Sequence, residues 1–222
     1  MAKGRKKLRA NAKPKAVEER IIYLSGRVSP KFSFGSLSPQ RVGSILRNIR
    51  YGYNFSEFYE LLDDVAEKDF GAIGAELNKR YLSVSRAPWE IVPADNEDEL
   101  SKRIAEFVWS NLSQIPQFHL TLQEIDSAIF KGLQISEIVW KYYKNELWIE
   151  TLIPRPLNWF DVSDEKIQRY DETGKSIPLE NNKWLIHKIT KDGLISKAGL
   201  GRTLIWLYLF RKCSVEDWVA FL

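Results

Sequence analysis

The chain has 222 residues, 44% hydrophobic and 28% charged, a balance that allows a buried core in one large domain or two small ones. A single cysteine, Cys213, excludes an internal disulfide framework, and two histidines, His119 and His187, leave few ligands for a metal site. The net charge of +4 is unevenly placed: Lys3, Arg5, Lys6, Lys7, Arg9, Lys13 and Lys15 crowd the N-terminus without an acid among them, so the remaining body is slightly acidic.

Such an arm has two readings. It is a solubilising, unstructured terminus, or its seven basic residues are candidate nucleic-acid or anion contacts. No apolar core follows the charges, so the arm is not a signal peptide. The longest apolar run, Leu204–Phe210, is bracketed by Arg202 and by Arg211 and Lys212. It falls far short of the roughly 20 residues that cross a bilayer.

Residues 1–37 turn from basic to Ser-, Gly- and Pro-rich and read as a flexible arm with no core of its own. Residues 38–222 read as one α+β domain. Its first helix opens at Ser38 as N-cap with Pro39 at the first helical position, and Val42, Ile45, Leu46 and Ile49 form its apolar face. Phe55, Phe58, Leu61, Leu62 and Val65 repeat at helical spacing in the next, and Phe70, Ile73, Leu77 and Leu82 in a third. Gly71 and Gly74 are small positions suited to close packing, and Pro88 closes this helical region.

The stretch PWEIVPA, bounded by Pro88 and Pro93, reads as a short edge strand. An amphipathic helix follows, with acids in its first turn and Leu100, Ile104, Phe107, Val108 and Leu112 expected to face inward. In TLQEIDSAIFKG, Thr121 and Glu124 suit a capping box and Gly132 a C-terminal stop.

Between roughly 135 and 189 the period changes to two. ISEIVWKYYKNELWIETLIPRP reads as a hairpin turning near Lys144-Asn145-Glu146. NWFDV is a short strand, Glu172-Thr173-Gly174 separates two more, and KWLIHKI is the last. A glycine-containing loop, TKDGLISKAGLGR, leads into a long final helix. The expected fold is α+β: N-terminal helices, a small, mainly antiparallel sheet with helices packed on it, and a long helix at the end.

Catalytic signatures are sparse. The sequence has no phosphate-binding P-loop, and Gly193, Gly199 and Gly201 do not have dinucleotide-fingerprint spacing. Cys213 has no base assigned to it by spacing and reads as a half-buried structural thiol. His187 reads as a solvent-facing strand residue. Asp161, Asp164 and Glu165 sit where a strand enters a turn; a metal-dependent nuclease is the sharper reading and turn chemistry the plainer one.

Trp89, Trp140, Trp148 and Trp159 fall on expected strands, where core packing is the default and subunit contact the alternative. Leu204–Phe210 is apolar around its whole circumference, which calls for protein on every side, from its own domain or from neighbours.

Several segments in series resemble the Mu-like bacteriophage portal proteins: AEKDFGAIGAELNKRYLSVSRAPWEIVPA, LQEIDSAIFKGLQISEIVWKY, IPRPLNWFDV, KWLIHK and GLGRTLIWLYLFRKCSVEDWVAFL. The resemblance covers roughly residues 38–222. It implies a structural subunit with no catalytic residues, metal or cofactor, in a homo-oligomeric ring, usually of twelve copies, at one capsid vertex. Double-stranded DNA would pass through that ring during packaging and ejection. Terminase, capsid and head–tail connector proteins would be its partners, with no membrane. The place implied is the virion, and the host cytoplasm during assembly. The matching part looks like an N-terminal, wing-like α+β portion, and the resemblance leads one to expect a chain truncated before the stem, clip and crown. The alternative class is a nucleic-acid-binding accessory module that uses the basic arm.

Overall fold

The computed structural model describes residue 22 and residues 38–68, 70–143 and 145–221. The basic arm, with Lys3, Arg5, Lys6, Lys7, Arg9, Lys13 and Lys15, lies outside the described residues, as do Lys144 and the side chains of Phe70 and Cys213.

Helix α1 (Pro39–Arg50) starts as its sequence requires: the Ser38 hydroxyl accepts from the Arg41 amide at 3.2 Å, which satisfies one of the first turn's free donors. Val42, Ile45 and Ile49 are buried on one stripe. Helix α2 (Phe55–Lys68) runs through the centre of the core and buries Phe55, Phe58, Tyr59, Leu61, Leu62 and Val65. The third expected helix divides. Phe70–Gly74 is wound as a π-helix, and α3 (Ala75–Ser85) continues it.

PWEIVPA forms no strand; residues 88–98 are irregular. Proline at both ends removes ladder donors, and Trp89 packs instead against Trp109 (ring centroids 5.0 Å apart) and Phe118 (5.5 Å). Helix α4 (Glu99–Ser113) is capped by Asp98, whose carboxylate accepts from the Leu100 and Ser101 amides and the Ser101 hydroxyl. Those hydrogen bonds hold the Asp98 pKa below its ordinary value. Helix α5 (Phe118–Asp126) begins three residues before Thr121, behind Gln117 in a left-handed conformation, so no capping box forms. A one-turn helix, α6 (Ala128–Lys131), ends at Gly132 (φ +84°), as the sequence leads one to expect.

Strand β1 (Leu133–Tyr143) is central in an antiparallel sheet of order β2-β1-β6, with β2 (Glu146–Pro154) and β6 (Trp184–Lys188) at its edges. The β1–β2 register shifts between Val139 and Trp140. From Leu133 to Glu137, β1 is buried on both faces. A second antiparallel sheet joins β3 (Phe160–Val162), β4 (Ile167–Tyr170) and β5 (Ser176–Pro178) in that order. The sheets meet where Phe160 and Trp184 pack edge to face, 5.3 Å apart.

The loop before the last helix is packed rather than slack. The Leu200 amide donates to the Ile129 carbonyl at 3.0 Å. A Cβ on Gly199 (φ +79°) would stand 2.7 Å from the Phe130 carbonyl oxygen, and one on Gly201 would strike the Leu62 side chain. Helix α7 (Gly201–Phe221) then buries Ile205, Tyr208 and Leu209 against α1 and α2. The molecule is α+β, with helices first and a long helix last.

Candidate functional site

Two of the three acids that hinted at metal chemistry have structural partners. Asp161 accepts from the Ser176 hydroxyl at 2.8 Å, linking β3 to the start of β5. Asp164 accepts from the Ser196 amide (2.9 Å) and hydroxyl (2.6 Å), tying the second sheet to the loop before α7. Glu165, His119 and His187 are exposed. Among the described residues no three His, Cys, Asp or Glu side chains gather as a metal site.

One charged constellation escapes the sequence reading. Glu137 is fully buried and accepts, through Oε2, from Arg155 Nε (2.9 Å) and Nη2 (2.5 Å). Its Oε1 meets Lys183 Nζ at 3.0 Å and accepts from the Ile22 amide at 3.0 Å. Arg155 also stands over the Trp159 ring, 5.1 Å from its centroid. A buried carboxylate survives only when its lone pairs are filled, and here two cations and an amide fill them. The cluster joins β1, the chain after β2, the approach to β6 and Ile22. Its signal in the sequence was parity: Glu137 lies between Ile135 and Val139, in the inward alternation of β1.

The larger surfaces are apolar. Of the α4 stripe expected to face inward, Leu100 is 60% exposed, Ile104 54% and Phe107 38%, while Val108 and Leu112 are half-buried. Instead α4 turns Ala105 and Asn111 to the body, and Asn111 Oδ1 accepts from the Ile149 amide on edge strand β2 at 2.9 Å. Phe107 packs on Trp148 (5.2 Å), and Trp148 on Tyr143 (6.3 Å). A shallow groove of about 490 Å³ runs along Leu100, Arg103, Ile104, Phe107, Glu146 and Leu147.

A second groove, of about 470 Å³, lies between α3 and α7, with Ile73, Leu77, Leu200 and Leu204 on its walls and Glu76 and Arg80 beside them. Further along α7, Leu207 and Phe210 are 59% and 62% exposed, and Phe210 stacks on Trp206. The all-round apolar character of Leu204–Phe210 is thus covered on one side by this chain and uncovered on the other. No helix among the described residues is long and apolar enough to cross a membrane. Of the four tryptophans expected on strands, Trp140 and Trp148 are there. Trp89 lies in the irregular segment and Trp159 in a short 3-10 turn, Leu157–Trp159.

Comparison with known proteins bears on what such surfaces serve. The family described as "Portal protein of Mu bacteriophage" matches residues 59–222. The chain is 29% identical over 217 residues to "Mu-like prophage FluMu protein gp29" of Haemophilus influenzae, an alignment covering 92% of this chain and 40% of that protein. It is 27% identical over 190 residues to "Portal protein" of Escherichia phage Mu, covering 84% of this chain and 37% of that protein. The chain therefore spans about two-fifths of the length of these curated relatives. With most of its length matched, from the core helix α2 through α7, the chain belongs to the family of portal proteins of Mu bacteriophage.

Proposed function

We propose that this chain supplies a wing-like structural portion of a phage portal subunit. It acts in a homo-oligomeric ring, dodecameric as the family resemblance implies, through which double-stranded DNA is packaged and ejected. Its role is mechanical and non-enzymatic, it needs no cofactor, and it works at the portal vertex of the virion after assembly in the host cytoplasm. Terminase, capsid and head–tail connector proteins are its proposed partners.

The observation that carries this reading is the pair of uncovered apolar surfaces, on α4 and along α3–α7, in a chain of the portal family. Large uncovered apolar surface marks a contact with other protein. In the same reading the basic arm contacts nucleic acid or another anion through Lys3, Arg5, Lys6, Lys7, Arg9, Lys13 and Lys15.

Light scattering with negative-stain electron microscopy tests the proposal. The expected result is a concentration-dependent oligomer with ring-shaped particles. A stable monomer at every concentration and salt tried would overturn it.

A further inference from the structure

Resting on the ring reading, we propose that the exposed α4 face of one copy seats antiparallel in the α3–α7 groove of a second copy of this chain. The contact is heterologous. The two surfaces are unlike, one a helix stripe bordered by edge strand β2 and the other a cleft between two helices, and a head-to-tail contact between unlike patches is the kind that closes rings.

Charge order fixes the direction. On the groove side Glu76 precedes Arg80 by one helical turn, along one flank of the Ile73–Leu77 stripe. On α4, Glu99 precedes Arg103 by one turn, along one flank of the Leu100–Ile104–Phe107 stripe. Parallel packing sets like charge on like. Antiparallel packing sets Glu99 against Arg80 and Arg103 against Glu76, and the same register brings Phe107 opposite Ala72, large against small. In the single chain Glu76 pairs with Lys79 and Glu99 with Lys102, both exposed pairs within one helix. Such pairs contribute little, so redirecting the two carboxylates costs little. Burying Leu100, Ile104 and Phe107 supplies the drive, and the charges choose the partner and direction.

The test uses the whole 222-residue chain with Cys213→Ser. Arg80→Cys protein is mixed with Glu99→Cys protein under mild oxidation. The expected product is a disulfide-linked dimer from the mixture and none from either protein alone, while the double variant gives a ladder. Separately, Glu76→Arg and Arg103→Glu each weaken self-association by roughly three- to fivefold, and together restore it. Oligomers with no 80–99 product, or Glu99→Cys protein that cross-links to itself, would overturn this interface and leave the ring reading standing. A chain that never associates would overturn both.

Discussion

Glu137 and Arg155 form an ion pair in which both Nε and Nη2 of the arginine donate to one carboxylate oxygen, at 2.9 and 2.5 Å, with the carboxylate wholly buried. Lys183 approaches the other oxygen at 3.0 Å and is itself almost fully buried. Removing the acid alone takes the buried carboxylate away from two buried cations. Glu137→Ala should lower unfolding free energy by about 3–5 kcal/mol, measured by urea denaturation. Replacing all three charges together, as Glu137→Leu with Arg155→Met and Lys183→Met, should recover much of the loss, because the two cations leave with the acid. A loss under about 1 kcal/mol for Glu137→Ala would mean that water reaches the cluster.

The Ile22 amide on the same carboxylate gives this cluster a second role, as the anchor of that residue. In Glu137→Gln the neutral amide oxygen is a weaker acceptor. Hydrogen exchange at Ile22 should therefore quicken by more than the general rise in α2 that loss of the buried charge brings. Unchanged exchange at Ile22 would show that its amide is protected by other contacts.

Gly199 and Gly174 have nearly the same backbone conformation, φ +79° and +81°, but different surroundings. A Cβ on Gly174 meets nothing within 4 Å, so Gly174→Ala should cost only the left-handed strain of about 1 kcal/mol. A Cβ on Gly199 meets backbone atoms at 2.7–2.9 Å, which cannot rotate aside. Gly199→Ala should cost clearly more, about 2–4 kcal/mol, because it separates α7 from α6. Thermal unfolding of the two variants side by side checks the ranking.

These glycines mark a limit of what the residues reveal. Glycine-rich spacing before α7 ruled out a dinucleotide loop, yet nothing local showed that Phe130 and Leu62 press against it, because those contacts come from distant segments. Helix α1 was legible because its cap and its apolar face agree and the face has a core to meet. Helix α4 has an equally clear stripe and a correct acidic start, but periodicity tells which side is apolar and not what covers it. Leu100 and Ile104 lie open while Ala105 and Asn111 face the body. Residues 88–98 misled for a similar reason: alternation allowed a strand, but a strand needs a partner. The Glu137 cluster was readable only through its inward parity on β1.

Glu180 provides the pH-dependent check. Burial by itself raises its pKa, but hydrogen bonds from Arg169 and from Trp184 Nε1 (2.9 Å) outweigh burial and leave the pKa below the ordinary 4.5. A depressed carboxyl contributes stability that is complete above its unfolded pKa and disappears as pH falls through the folded value. At neutral pH Glu180→Gln should cost about 1 kcal/mol, after allowing for solvent screening at this half-exposed position. The gap between parent and variant should hold down to about pH 5 and narrow below 4.5, because only the parent loses a charge. A gap that widens on acidification would contradict this assignment.

Asn111 tests why α4 presents its apolar stripe outward. Its side-chain oxygen takes the Ile149 amide of edge strand β2, beside the register shift between Val139 and Trp140, and it is 6% exposed. That bond fixes the rotation of α4 about its axis, since turning Leu100 and Ile104 inward would carry Asn111 away from the strand. Asn111→Leu keeps the volume and removes the acceptor of a half-buried amide, at a cost of about 1 kcal/mol. Asn111→Asp keeps an acceptor and should keep hydrogen-exchange protection at Ile149, which Asn111→Leu should lose. If the leucine variant also exposes less apolar surface, read by weaker dye binding and weaker self-association, then Asn111 holds the docking face open. Unchanged dye binding and self-association would assign the orientation of α4 to Ala105 and the Phe107–Trp148 contact instead.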